Sequence, residues 1–356
     1  MLRLEPRSTQ SFAAAWLSPV MALVLTVFTG GVIFLAMGKD PSTALYIYFV
    51  EPLTTTSGLS EVAVKAGPLI LIGIGLSFGF RAGVWNIGAE GQYIAGAIAG
   101  GGLAVYFHES ESTLLLPAML VLGTLGGMAW AAVPALLKTR FNANEILVSL
   151  MLVYVAELLL VHLVQGPWRN PQGWGFPGTR MFPDVATMPL LFSGKRAHLG
   201  TLITLVVPFF AWFILARTRF GFTVRVFGSA PLAARHAGVH SHRMIWQSLL
   251  IGGGFAGLAG VIEATGTIGQ LVPNISPGYG FTAIIVAFLG RLHPAGVLLA
   301  GIAIAVTYIG GEGAQISAGL PKAVTGLFQG IILFYLLAFD LFTRYRFVVS
   351  TRIAEH

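Results

Sequence analysis

The stretch Ala66-Gly-Pro-Leu-Ile-Leu-Ile-Gly-Ile-Gly-Leu-Ser-Phe-Gly-Phe80 runs straight into Arg81-Ala-Gly-Val-Trp-Asn-Ile-Gly-Ala-Glu-Gly-Gln92. The first part carries no charge and reads as a membrane-embedded helix. It is short of the about 20 apolar residues that cross a bilayer core. The second part is too polar and too rich in glycine to face lipid. Backbone freed by such a break must be satisfied by protein or by a water-filled cavity. A second break follows the short apolar segment Phe281–Gly290, which runs into Arg291-Leu-His-Pro294. Short, interrupted segments at corresponding places in two halves point to a transport site. The halves are loosely alike, Ala95-Gly96 with Gly101 recurring as Ala295-Gly296 with Gly301.

Composition puts these segments in a membrane. Of 356 residues, 55% are hydrophobic and 10% charged, and mean hydropathy is +0.80. Soluble domains carry about 25% charged residues, and so sparse a supply cannot coat a water-facing surface of this size. Glycine is abundant, at 45 residues, and appears inside long apolar runs, as expected where membrane helices approach closely. The sequence predicts an all-α, polytopic helical membrane protein and excludes soluble enzymes, nucleic-acid binders and disordered chains. No cysteine is present, which removes disulfides, thiol catalysis and Cys-ligated metals.

Ten spans are predicted: Pro19–Met37, Ala66–Phe80, Gln92–Phe107, Thr113–Leu137, Glu145–Gln165, Gly200–Ala216, Ile245–Thr265, Phe281–Gly290, Pro294–Gly310 and Ala323–Phe342. Pro19–Met37 is too long for a cleaved signal and is read as a retained first span. Pro41–Lys65, mixed in polarity, reads as an interfacial helix. With both termini inside (1–18 and 343–356), 14 of the 21 Lys and Arg fall in inside segments and 7 outside. That bias fits the positive-inside rule. The net charge of +7 is thus a topological signal, not a nucleic-acid footprint.

Within the first break, Asn86, Glu90 and Gln92 place hydrogen-bonding side chains among glycines. A carboxylate there is expensive if it faces lipid. The three either line a translocation path or bond to broken-helix backbone and hold the fold. Trp85 belongs to the same stretch. The second break begins at Pro273-Asn-Ile-Ser-Pro-Gly-Tyr-Gly-Phe281, where Asn274, Tyr279 and Phe281 are candidates for the path. Their rings suit stacking on a planar or ring-shaped solute, or ordinary interfacial anchoring. Glu145, Glu157, His162 and Glu263 also lie in spans. Glu145 sits at a helix start, where it complements the dipole, and Glu157 and His162 are not spaced for one helix face. No metal-ligand spacing occurs, so no metal is assigned.

The inside loop 217–244 contains Gly228-Ser-Ala-Pro-Leu-Ala-Ala-Arg-His-Ala-Gly238, which reads as a two-turn helix. Ser229 is placed to cap it, Pro231 suits its first turn and Gly238 a left-handed stop. So short a helix is marginal alone, so something must pack on it: a docking partner or anionic lipid. The outside loop 166–199, with Trp168, Trp174 and Phe176, reads as a docking or gating loop or as an aromatic belt.

Together, Phe80–Gly83, Asn86–Gln92, Gly228–Gly238, Ser276–Phe281, Ala287–Arg291 and Pro294 resemble the permease subunits of bacterial ABC importers, and among these the nucleoside-type branch. The likeness runs from about Ala13 to Phe342. The Asp-Leu-Ser-Val-Gly stretch of ribose-type relatives is absent. The resemblance implies about ten helices, with broken or short ones in each half, in the cytoplasmic (inner) membrane. It implies a second, usually homologous permease (or a homodimer), an ATPase below, and an external binding protein or lipoprotein that delivers substrate. Ser229, Ala230, Pro231, Ala233, Ala234, Arg235, His236 and Gly238 correspond to the family's coupling helix. The small residues would fit a groove on the ATPase, with Arg235 and His236 at its edges. No Walker-type Gly-x-x-x-x-Gly-Lys-Ser/Thr occurs, so the chain is expected to be no enzyme and to hold no cofactor, ATP and Mg residing on the partner ATPase. Nucleoside transport by alternating access is the expectation. Simple-sugar transport or an ion-coupled transporter is the alternative.

Overall fold

The computed structural model describes residues 2–6 and 12–349. Arg7 and Arg352, counted above among the inside Lys and Arg, lie outside the described residues. The chain is helical: α1 (Phe12–Ala36), α2 (Pro41–Leu45), α3 (Glu51–Thr54), α4 (Thr56–Arg81), α5 (Ala89–Tyr106), α6 (Leu115–Phe141), α7 (Glu145–Gln165), α8 (Leu199–Arg217), α9 (Arg219–Ser229), α10 (Pro231–His236), α11 (Ser241–Ile262), α12 (Tyr279–Leu289), α13 (Pro294–Ala318) and α14 (Ala323–Arg344). Wide π turns occupy Tyr46–Val50 and Glu263–Ile268. Two short strands, β1 (Leu2–Pro6) and β2 (Tyr345–Val349), pair antiparallel near the chain ends. Among the described residues, six helices are long and apolar enough to cross a membrane, and the apolar stretches Val20–Ala36, Tyr279–Leu289 and Ala323–Phe339 are shorter.

The described residues cluster into two compact units, Thr56–Ala305 being one and those before Thr56 with those from Val306 the other. In the latter, the core is aromatic. The rings of Tyr48 and Phe328 stack at 4.6 Å, and Phe34 lies 5.5 Å from Phe328. Asp40 caps α2, its carboxylate accepting from the Thr43 backbone at 2.8 Å and the Ser42 hydroxyl at 2.7 Å.

In the Thr56–Ala305 unit, α4 is buried continuously from Ala66 to Phe80. That stretch is apolar all round, as a central helix must be. Small residues let its neighbours close in: a Cβ on Gly96 of α5 would overlap the Gly257 backbone of α11, and Gly127 of α6 meets Gly253 and Gly257. Such close approach is the expected use of small residues between membrane helices.

The expected interfacial helix 41–65 is not one element. It divides into α2, a π turn, α3 and the first ten residues of α4. The reason α4 starts early lies in its partners. Lys195 Nζ donates to Ser57 Oγ at 2.6 Å, the Ala197 backbone N–H to Ser60 Oγ at 2.9 Å, and Arg196 Nη1 to Glu61 at 3.1 Å. The segment 195–197 of the loop thus satisfies the polar side of an extension that apolarity alone did not predict.

Candidate functional site

Two long helices, each followed by an extended return and a shorter helix, build the site. Helices α4 and α11 run in opposite directions, Gly75 of α4 meeting Gly252 of α11 and Gly79 meeting Ser248. After Arg81 the chain turns at Gly83, whose φ is +70°, and returns beside α4. By Asn86 its side chain is back at the level of Gly252, and α5 starts from there. After α11 and its π turn, the chain turns at Gly269 (φ +75°) and returns along α5. Leu271 lies against Gly101, the Ile275 carbonyl lies 3.5 Å from the Tyr93 hydroxyl, and Gly280 packs on the Glu90 backbone. Helix α11 with its π turn spans 28 residues, a rise of roughly 40 Å. Gly260, which packs on the Tyr93 carbonyl, lies about 28 Å along that rise. The first turns of α5 and α12 therefore meet deep inside the bundle.

At the meeting point, the Glu90 carboxylate accepts the Gly280 backbone N–H. That N–H is one of the four that a helix start leaves without an internal partner. Asn86 and Gln92 form a reciprocal amide pair: Asn86 Nδ2 donates to Gln92 Oε1 at 2.8 Å and Gln92 Nε2 to Asn86 Oδ1 at 3.1 Å. Asn86 Oδ1 also accepts from the Gly88 N–H at 3.1 Å. All three side chains are buried. In this conformation they fasten the broken backbone and are closed to solvent.

The other predicted residues divide between buried and open. Tyr279 is fully buried, its ring 6.0 Å from that of Tyr93 in an edge contact. Trp85 is 41% exposed and stands on Phe80 and Phe288, with ring centroids at 5.1 and 5.9 Å. Phe281 and Asn274 are exposed. Sequence reasoning missed Lys65, whose ammonium lies 5.8 Å from the Tyr279 ring centroid. It also missed Tyr93 and Ser149, whose hydroxyl accepts the Ile87 backbone N–H at 3.3 Å. Lys65 was hidden because the sequence put it outside the span, whereas its spacing of four from Glu61 was a readable helix signal. Glu145 pairs with Lys138 at 2.9 Å. Glu263, in the π turn, is buried and accepts from Thr267 Oγ1 at 3.2 Å.

The loop expected to be a coupling element forms two helices. Helix α9 buries Gly221, Val224 and Phe227, and α10 follows with Pro231 in its first turn. Gly238 has φ +86°, the left-handed stop predicted for it. Ser229 does not cap α10. It is the last residue of α9, and its hydroxyl donates back to the Arg225 carbonyl at 2.9 Å, so Ala230 takes the cap position. Helix α9, which the sequence reading did not foresee, runs on to Ser229 with Val224 and Phe227 buried on its inner face. Ala234 is fully buried, which removes it from the face a partner could touch. Leu232, 71% exposed, stands on that face with Ala233, Arg235, His236 and Ala237.

This region sits on the end of α4. A Cβ on Gly228 would overlap the Arg81 carbonyl. Arg81 Nε in turn donates to the Leu292 carbonyl at 2.9 Å, within a turn where Arg291 and Leu292 both have positive φ. Arg81 thus joins α9, the start of the first return and the end of α12.

A family model described as the permease component of branched-chain amino acid transport systems matches residues 58–337. The glucose ABC transporter permease protein TsgB13 of Haloferax volcanii is 38% identical, over 97% of this chain and 93% of that protein. The guanosine ABC transporter permease protein NupP of Bacillus subtilis is 29% identical, over 90% of this chain and 92% of its own length. The nucleoside ABC transporter permease protein NupB of Lactococcus lactis is 25% identical, over 90% of each. The chain belongs to the family of branched-chain amino acid transport system permease components and is a multi-pass permease subunit of an ABC transporter.

Proposed function

We propose that this permease imports a nucleoside by alternating access, driven by a separate ATPase. The observation that carries the reading is the meeting of α5 and α12 at Glu90 and Gly280. Two shorter helices held to each other at their starts, beside two oppositely directed long ones, form an element that a rigid-body tilt can open to either side. The tilt starts at α10, docked on the ATPase through Leu232, Ala233, Arg235 and His236, and passes through Gly228 to the end of α4 at Arg81. ATP and Mg reside on the ATPase, a second permease subunit completes the path, and an external binding protein delivers the solute. Both termini lie on the cytoplasmic side.

The nucleoside class is supported by the relatives named for guanosine and nucleosides and by Trp85, an exposed ring backed by Phe80 and Phe288 that suits stacking on a base. A hexose is the second reading, favoured by the relative named for glucose. Uptake of labelled nucleoside by cells carrying the whole transporter, competed by a nucleoside panel and by glucose, tests it. Competition by nucleosides alone is expected, and competition by glucose alone transfers the assignment to the hexose. Uptake that survives ATP depletion but collapses with the proton gradient overturns the ATP-driven mechanism.

A further inference from the structure

Helix α7 rises roughly 30 Å over its 21 residues, and Glu157 lies at its thirteenth position, well inside both ends. The stripe Ser149, Val153, Ala156, Leu160 and Val164 is buried. Glu157 stands exposed on the flank of that stripe, with Tyr154 three residues before it on the same side. No cation among the described residues pairs with it. A bare carboxylate at this depth is costly against hydrocarbon, so the flank that bears it faces water or polar groups. The direction of that flank is given by its neighbours. Ser149 and Val153 pack on Gly88 and Gly91 at the start of α5, and Glu157 stands one helical turn beyond Val153. Glu90, beside Gly91 in that first turn of α5, holds Gly280, and Phe281, the next residue, is exposed. The unpaired carboxylate thus sits one turn from the packed start of α5, and an exposed phenylalanine one residue from the contact of α5 with α12.

We propose that Glu157 lines the transport path and is a specificity-determining residue, accepting hydrogen bonds from hydroxyl or amine groups of the passing solute. The proposal rests on the transport reading above and adds a free carboxylate, which neither broken segment supplies, since Glu90 is engaged with the Gly280 backbone. A carboxylate with free lone pairs suits a solute rich in donors, such as ribose or hexose hydroxyls.

The chain has no native cysteine, so Glu157→Cys gives this subunit a single thiol, and labelling in the complete transporter is read on this subunit after the chains are separated. A charged, membrane-impermeant methanethiosulfonate reagent reacts with it only where water reaches the thiolate. The expected result is labelling whose rate changes between the ATP-free and ATP-trapped states and falls at least severalfold in saturating substrate. Absence of labelling in every state, while Trp174→Cys in the exposed loop labels, overturns the proposal and places Glu157 against lipid or a dry subunit contact. The isosteric Glu157→Gln variant is expected to raise KM about tenfold with normal assembly. An unchanged KM for every competing solute overturns the specificity role. Protection by glucose but not by nucleosides overturns the nucleoside assignment and leaves the role of Glu157 standing.

Discussion

The Glu90 carboxylate holds the backbone N–H of Gly280, so two helices separated by about 190 residues begin at one shared bond. Gly280 is there because nothing larger fits: a Cβ would overlap the Glu90 backbone itself, which cannot swing aside as a flexible side chain does. Gly280→Ala is therefore expected to destabilise by about 1–3 kcal/mol through overpacking. Glu90→Leu, which leaves a buried N–H without its acceptor, is expected to cost a similar about 1–3 kcal/mol. Glu90→Gln keeps an acceptor oxygen and should cost less than either. Thermal unfolding of the purified permease in detergent checks the order of the three, and equal melting temperatures for Leu and Gln would break the argument.

The Asn86–Gln92 pair yields a coupling measurement. Each amide satisfies the other in a buried site, so removing one orphans its partner, whereas removing both orphans neither amide. Asn86→Leu and Gln92→Leu should each cost about 1–3 kcal/mol, and the double variant well under their sum. Strict additivity in a double-mutant cycle would mean that the pair is not a unit.

His198 makes stability depend on pH. Its Nδ1 accepts the Gly200 N–H at 3.2 Å, and its ring is clasped by the backbones of Gly200 and Gly266. Burial, with the Arg196 charge adding to it, pushes its pKa down to about 4 from 6.5. The folded state therefore resists protonation that the unfolded chain accepts. The stabilisation is complete above about pH 6.5 and is lost as pH falls from there toward about 4, a swing of up to about 3 kcal/mol. His198→Gln should flatten that part of the stability profile. A wild-type profile already flat from pH 7 to 4.5 contradicts the assignment.

How far the sequence carried these conclusions differs by element. Helices α7 and α14 and the broken character of 81–92 were legible because apolarity, glycine and length speak directly of what lipid tolerates. The left-handed turn at Gly238 was legible for a similar local reason, as only the residue type had to be read. Contacts from distant parts of the chain were not. The ten residues that α4 gains at its start depend on Lys195, Arg196 and Ala197, and the Glu61–Lys65 spacing, though a local helix signal, does not announce those distant partners. The amide pair was legible as three polar residues near one another, but which bonds to which is decided by the turn at Gly83 and the return of the chain toward Gly252. Ser229 was misassigned because a cap and a helix-ending serine look alike in sequence. The outcome turned on the face of α9 that Phe227 buries.

The contrast between Ala234 and Leu232 separates folding from coupling on α10. Both are apolar residues of one short helix, and a sequence reading that groups the small residues places Ala234 on the docking face. The structure turns it inward, fully buried, and leaves Leu232 at 71% exposure. A six-residue helix has too few internal hydrogen bonds to stand without packing, so its seat depends on Ala234. Ala234→Glu buries a charge with no partner and is expected to unseat α10, lowering expression and melting temperature. Leu232→Glu places a charge where solvent already reaches, so the permease should fold normally and assemble with its second subunit. It should nonetheless lose at least tenfold in transport and in substrate-stimulated ATP hydrolysis if α10 docks on the ATPase as proposed, because a carboxylate then replaces an apolar side chain on the docking face. Size-exclusion chromatography and ATPase assays on the reconstituted transporter read the two effects separately. Normal stimulated hydrolysis in Leu232→Glu would remove α10 from the coupling path, whatever happens to Ala234→Glu.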